Sequence, residues 1–96
     1  MSLEVILTHT AVETYDAIFE QITLKFGSNV SDKFQDKVFK ILKTISKSPL
    51  IFKATTENQN IRKGYINKNC SFFYEVTATQ IHILFFWDNR QEPLIS

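Results

Sequence analysis

The sequence predicts an α+β domain: an N-terminal strand, an antiparallel two-helix hairpin, then an antiparallel sheet of three to four strands. Three observations carry this. Apolar residues recur at helical spacing from Tyr15 to Ile45, they alternate at strand spacing from Ile61 to Trp87, and the two patterns do not interleave. Helices grouped in one part of a chain and strands in another give α+β rather than alternating β-α-β layers. At 96 residues, with 44% hydrophobic content and nine Phe, the chain is expected to form one core and one domain over residues 1–96.

Residues Leu3 to Thr8 are β-branched and apolar without a breaker, and so read as a short strand. Thr10-Ala11-Val12-Glu13 fits a capping box, which starts a helix by satisfying free amides at its first turn. Tyr15, Ile18, Phe19, Ile22 and Phe26 then form one stripe, with Glu13, Asp16 and Glu20 opposite. Gly27 stops this helix because it accepts a left-handed backbone without a Cβ penalty. A second helix puts Phe34, Val38, Ile41, Leu42 and Ile45 on one face and Lys33, Lys37, Lys40, Lys43 and Lys47 on the other, ending at Ser48-Pro49. So short a link makes the helices antiparallel.

A short strand at Ile51 to Ala54 and a polar turn at Thr55 to Asn60 follow. Ile61 to Ile66, Ser71 to Thr77 and Gln80 to Trp87 then form a meander, with the N-terminal strand added as a further antiparallel member. Phe72, Tyr74 and Val76 alternate with Ser71, Phe73, Glu75 and Thr77, and Ile81, Ile83 and Phe85 with His82, Leu84 and Phe86. One of the resulting sheet faces takes the helices.

Composition removes several function classes. No apolar run approaches the roughly 20 residues that span a bilayer. Met-Ser-Leu-Glu-Val lacks the basic and long apolar regions of a cleaved signal, so the cytoplasm is the expected location. Cys70 is the only cysteine, which excludes an intrachain disulfide and any cysteine-based metal cluster within one chain. No phosphate-binding glycine loop, no metal spacing among His9, His82 and Cys70, and no nucleophile elbow is present, so no cofactor is expected. Net charge is +1, but it is segregated: −4 over residues 1–32, +7 over 33–68 and −2 over 69–96. The middle of the chain is the electropositive part, suited to phosphate or an acidic partner.

Arg62, Lys63, Lys68, Tyr65, Tyr74, His82, Asp88 and Arg90 remain as basic or titratable residues on or near the sheet. Such a set could cleave RNA through its own 2′-hydroxyl, which needs a base, an acid and cations but no metal. Each residue also has a plainer role. Arg90 could pair with Asp88 or Glu92, His82 could be structural, Tyr74 could belong to the core, Cys70 could be incidental, and the lysine stripe could be a solvated face.

Ile61-Arg62-Lys63, Phe72-Phe73-Tyr74-Glu75-Val76 and Phe86-Trp87-Asp88-Asn89-Arg90-Gln91-Glu92-Pro93, in this order behind a helical hairpin, resemble the RelE/ParE superfamily, the toxins of bacterial type II toxin–antitoxin modules. The resemblance implies the same two-helix, antiparallel-sheet fold. It also implies a cognate antitoxin that wraps the toxin in a hetero-oligomer. RelE-like members cut messenger RNA in the ribosomal A site, whereas ParE-like members poison DNA gyrase. Arg62 and Arg90 match basic positions of the family. Ser71 stands where RNA-cutting members carry arginine, and neither tyrosine nor histidine follows Arg90. The ParE-like branch is therefore the expectation, with partner contacts at Phe73, Phe86, Trp87 and Arg90. If the chain is instead a nuclease, Arg62, Lys63, His82 and Arg90 are its catalytic candidates. A degenerate toxin that only binds its antitoxin is a further alternative.

Overall fold

A computed structural model describes residues 2–90, in the order β1 (Glu4–Leu7), α1 (His9–Phe26), α2 (Ser28–Lys47), β2 (Ile61–Asn67), β3 (Cys70–Val76) and β4 (Gln80–Asp88). The helix cap lies two residues before the expected one. Thr8 Oγ1 accepts from the Ala11 amide at 3.1 Å and approaches the Ile83 and Leu84 carbonyls at 2.8 and 3.0 Å. Thr10 lies inside the helix, and Glu13 pairs with His9 at 2.8 Å rather than returning to a cap amide. The reason is tertiary: β1 is held to β4 as far as Thr8, whose amide donates to the Ile83 carbonyl, so the chain is free to coil only after that residue.

Gly27 alone joins the two helices. Its φ of +93° is a left-handed value that costs other residues a steric clash, and its amide closes α1 onto the Thr23 carbonyl at 2.9 Å. Thr23 and buried Ser31 bond across the hairpin tip at 2.8 Å. Phe34, Val38, Leu42 and Ile45 are buried as their spacing requires, and Ile41 is half-buried. On α1, Tyr15, Ile18, Phe19 and Ile22 pack against the core while Phe26 is exposed.

The sheet order is β1-β4-β3-β2. β2, β3 and β4 form the expected antiparallel meander, but β1 pairs parallel with β4, from Glu4 opposite Gln80 to Leu7 opposite Ile83. The hairpin accounts for this direction. α1 continues along β4, as the bond from the Phe86 amide to Thr14 Oγ1 at 2.9 Å records, and α2 returns so that Ser46 reaches Leu3. β2 therefore starts from the end where β1 started, and two reversals later β4 runs the same way as β1. A parallel partner becomes possible because the hairpin serves as the crossover.

Between α2 and β2, the expected strand Ile51 to Ala54 reduces to one bridge, Ala54 opposite Arg62. This segment still screens the outer edge of β2, with Lys63 N donating to the Lys53 carbonyl at 3.2 Å and Thr55 N to the Ile61 carbonyl at 2.7 Å. A bulge at Leu84 breaks the β3–β4 ladder, since Phe73 faces Phe85 while Tyr74 faces Ile83. The extra residue reverses the alternation beyond it. Phe86, not Phe85, therefore joins Phe72, Tyr74, Ile81 and Ile83 beneath the helices.

Candidate functional site

Two regions collect the residues with chemical potential. The first is the sheet face away from the helices, which no element covers among the described residues. Register places Lys63, Phe73 and Phe85 in one row across β2, β3 and β4, with Tyr65, Ser71 and Trp87 in the next. Phe73 and Phe85 stack at 4.7 Å, and the Lys63 ammonium lies 5.7 Å from the Phe73 ring and 5.4 Å from that of Tyr65. A cation over aromatic faces is stabilising and also pins the lysine stem along apolar surface. Below this row, His82 Nε2 bonds Gln80 Oε1 at 2.9 Å, and Gln80 Nε2 donates to Glu4 Oε1 at 2.9 Å, a chain that ties β4 to β1.

The second region is a cleft of about 290 Å³ where the hairpin tip meets the far end of the sheet. Ile18, Ile22, Phe26, Val30 and Phe34 make it apolar, and Lys33, Lys37 and Arg90 add positive charge. Arg90 engages Asp88 twice, Nε to Oδ1 at 3.0 Å and Nη2 to Oδ2 at 2.9 Å, so of its two expected acidic partners it holds Asp88. Glu92 lies outside the described residues. Those hydrogen bonds hold the Asp88 carboxyl below its usual range against the opposing effect of burial, and they raise Arg90 in turn. Burial pushes the Cys70 thiol in this wall up to about 12, with the nearby Asp88 charge adding to the effect. The thiol is also buried, 3% exposed, and so lies away from solvent.

The four nuclease candidates do not share a site. Arg62 faces the helix side, where it donates to the Phe52 carbonyl at 2.7 Å, while Lys63 points to the open face. His82 is on the open face but on β4, with β3 between it and Lys63. Arg90 stands past the other end of β4. Tyr74 is buried, its hydroxyl donates to the Pro49 carbonyl at 2.8 Å, and burial raises its pKa, so it is a core phenol. No three His, Cys, Asp or Glu side chains converge to hold a metal among the described residues.

Of the expected partner residues, Phe73 and Trp87 lie on the open face and Arg90 on the cleft. Phe86 does not lie on a surface: it is 1% exposed, because the Leu84 bulge turns it inward. Phe85 takes the outward position. Strict alternation missed it, although an apolar run as continuous as Leu84-Phe85-Phe86-Trp87 already fails to specify its faces. The cleft was also missed, because its wall combines the hairpin tip with the ends of β2 to β4.

No protein-family model matches the sequence, and neither does any curated protein. Solved structures do match. The chromosomal ParDE toxin–antitoxin system from P. aeruginosa superposes with a TM-score of 0.76 at 17% identity, over 91% of this chain and 96% of that one. A YoeB dimer from Staphylococcus aureus gives 0.64 at 18% identity, over 88% and 94%. A copper-bound mutant toxin from Helicobacter pylori gives 0.60 at 20% identity, over 92% and 96%. Coverage of nearly the whole of each chain makes this a likeness of complete folds. No helix of the described residues is long and apolar enough to cross a membrane.

Proposed function

We propose that this chain, which has the fold of the RelE/ParE-type toxins, is the toxin of a bacterial type II module, arresting growth by binding an essential target such as DNA gyrase. It acts in the cytoplasm, and a cognate antitoxin neutralises it by covering Phe73 and Trp87 on the open face and Arg90 at the cleft. Fold alone does not assign a target, so the choice between binding and cutting rests on the site.

The dispersal of the candidate catalytic groups carries that choice. Metal-free RNA cleavage needs base, acid and phosphate-binding cations within hydrogen-bond reach of one phosphate. Arg62 and Lys63 point to opposite faces, His82 lies two strands from Lys63, and Arg90 is engaged by Asp88. Ser71, in place of an arginine, spends its hydroxyl on Asn89 at 2.7 Å.

Induced expression in a bacterial host tests this, with growth and RNA 5′ ends followed for the chain and for His82→Ala and Arg90→Ala, each variant first shown to be folded by circular dichroism. The expected result is arrest with intact messenger RNA and a DNA-damage response, unaffected by His82→Ala and weakened by Arg90→Ala. Cuts at defined codon positions, lost with either substitution, would make it a ribosome-dependent nuclease. Absence of arrest would point to a degenerate toxin.

A further inference from the structure

The apolar stripe of α1 runs on past the point where the core ends. Ile18 and Ile22 pack on the core, but Phe26, next on the same face, is 58% exposed, and Val30 beyond Gly27 is 45% exposed. Both line the cleft between the hairpin tip and the far end of the sheet, so apolar surface there meets solvent. Cations supply much of the remaining wall. Lys33 and Lys37 follow Val30 at helical spacing along α2, and among the described residues neither has a carboxylate within 4.0 Å. Asp88, the only acid lining the cleft among the described residues, is 7% exposed and is committed to Nε and Nη2 of Arg90. That grip orients the guanidinium and leaves Nη1 and one Nη2 proton without a partner among the described residues. Such an edge accepts a carboxylate through two parallel hydrogen bonds.

We propose that this cleft binds a small amphiphilic carboxylate, its aliphatic chain lying along Ile22, Phe26 and Val30 and its head held by Arg90, Lys33 and Lys37. Size sets the class of ligand. A volume of about 290 Å³, at roughly 30 Å³ for each water-sized group, holds about ten non-hydrogen atoms, the number in an eight-carbon fatty acid. A protein segment recognised in its own right needs a far larger surface than this. Charge sets the head group. The three cations outnumber Asp88, so an anion is drawn in, whereas a neutral or cationic molecule of the same length gains only the apolar contacts. Ten atoms at an ordinary ligand efficiency correspond to a dissociation constant on the order of 0.1–1 mM. Binding is a property of the free chain and does not depend on the toxin reading, under which this ligand and the antitoxin would compete for Arg90.

The test is a titration of the full ¹⁵N-labelled chain with sodium octanoate to about 5 mM, followed by amide chemical shifts. The expected result is a saturable shift centred on Val30, Asn69 and Arg90, with Lys63 and His82 on the open face unmoved. Acetate, octanol and octylammonium at matched concentrations should each bind at least tenfold more weakly, since each lacks the chain or the anionic head. Lys33→Glu with Lys37→Glu alters two exposed side chains and should lower octanoate affinity at least tenfold, as should Phe26→Ser, while the spectrum itself shows that each variant is folded. Absence of a saturable shift would overturn the proposal. So would octanol binding as tightly as octanoate, affinity indifferent to the lysine reversal, or shifts centred on the open face.

Discussion

Gly64 lies in β2 opposite Phe72, whose ring fills the space a side chain would take. A Cβ on Gly64 would stand 2.4 Å from Phe72 Cζ and 2.6 Å from Cε1, well inside contact distance. Phe72 has no room to yield, being fully buried among Phe52, Tyr74 and Phe86 with ring centroids 5.6–6.0 Å away. Replacing glycine in a strand ordinarily gains about 0.5–1 kcal/mol of backbone entropy, but overpacking a tight core costs about 1–3 kcal/mol. The cost is the larger effect, so Gly64→Ala should lower stability by about 1–2 kcal/mol in urea denaturation. An unchanged midpoint would mean that Phe72 repacks freely. A glycine inside a strand often marks the close approach of another group, and here that group is the Phe72 ring.

The junction between β1 and α1 depends on Thr8, which caps the helix and ties the strand to β4 through the Ile83 and Leu84 carbonyls. Thr8→Val keeps the shape and removes all three contacts. A lost cap costs about 0.5–2 kcal/mol. The variant should therefore lose stability in that range and show faster amide exchange at Ala11 and in β1. Thr10→Val is the control, because the sequence pattern favours Thr10 as the cap whereas the structure places it, exposed, within the first turn of the helix. An equal loss from both would restore the original assignment. The two helices and most of their buried faces were legible because local spacing sets them: the stripe from Phe34 to Ile45 needs no knowledge of its partner, whereas the start of α1 at Thr8 and the exposure of Phe26 follow from tertiary contacts. The direction of β1 was not, since it follows from where the hairpin delivers the chain. The Leu84 bulge was also invisible, since one extra residue in a wholly apolar run leaves no mark on its pattern. The candidate residues were thus identifiable by type, but the faces of Phe85 and Phe86 were not.

Across the whole molecule the layers are unequal. Both helices lie on one side of the sheet, leaving Lys63, Tyr65, Phe73, Phe85 and Trp87 on the other without a covering element among the described residues. Phe73, Phe85 and Trp87 are partly exposed there and Tyr65 is half-exposed, so the face keeps apolar surface that a partner can cover. A flexible segment that orders on binding can cover such a face and gain from rings already held in place, here by the Phe73–Phe85 stack and the Lys63 contact. On the proposed reading, the antitoxin is that segment. Trp87, half-buried and the only tryptophan, reports on it directly. Adding the antitoxin should shift its emission to the blue and slow amide exchange through β4. Phe85→Ala should weaken binding about tenfold or more, the cost of truncating a central aromatic anchor, with little loss of fold. Phe86→Ala should do the reverse, losing about 3–5 kcal/mol of stability as a core truncation while leaving the open face intact. If emission and exchange at β4 do not move while complex still forms, the antitoxin sits elsewhere, and the cleft at Arg90 becomes the surface to test.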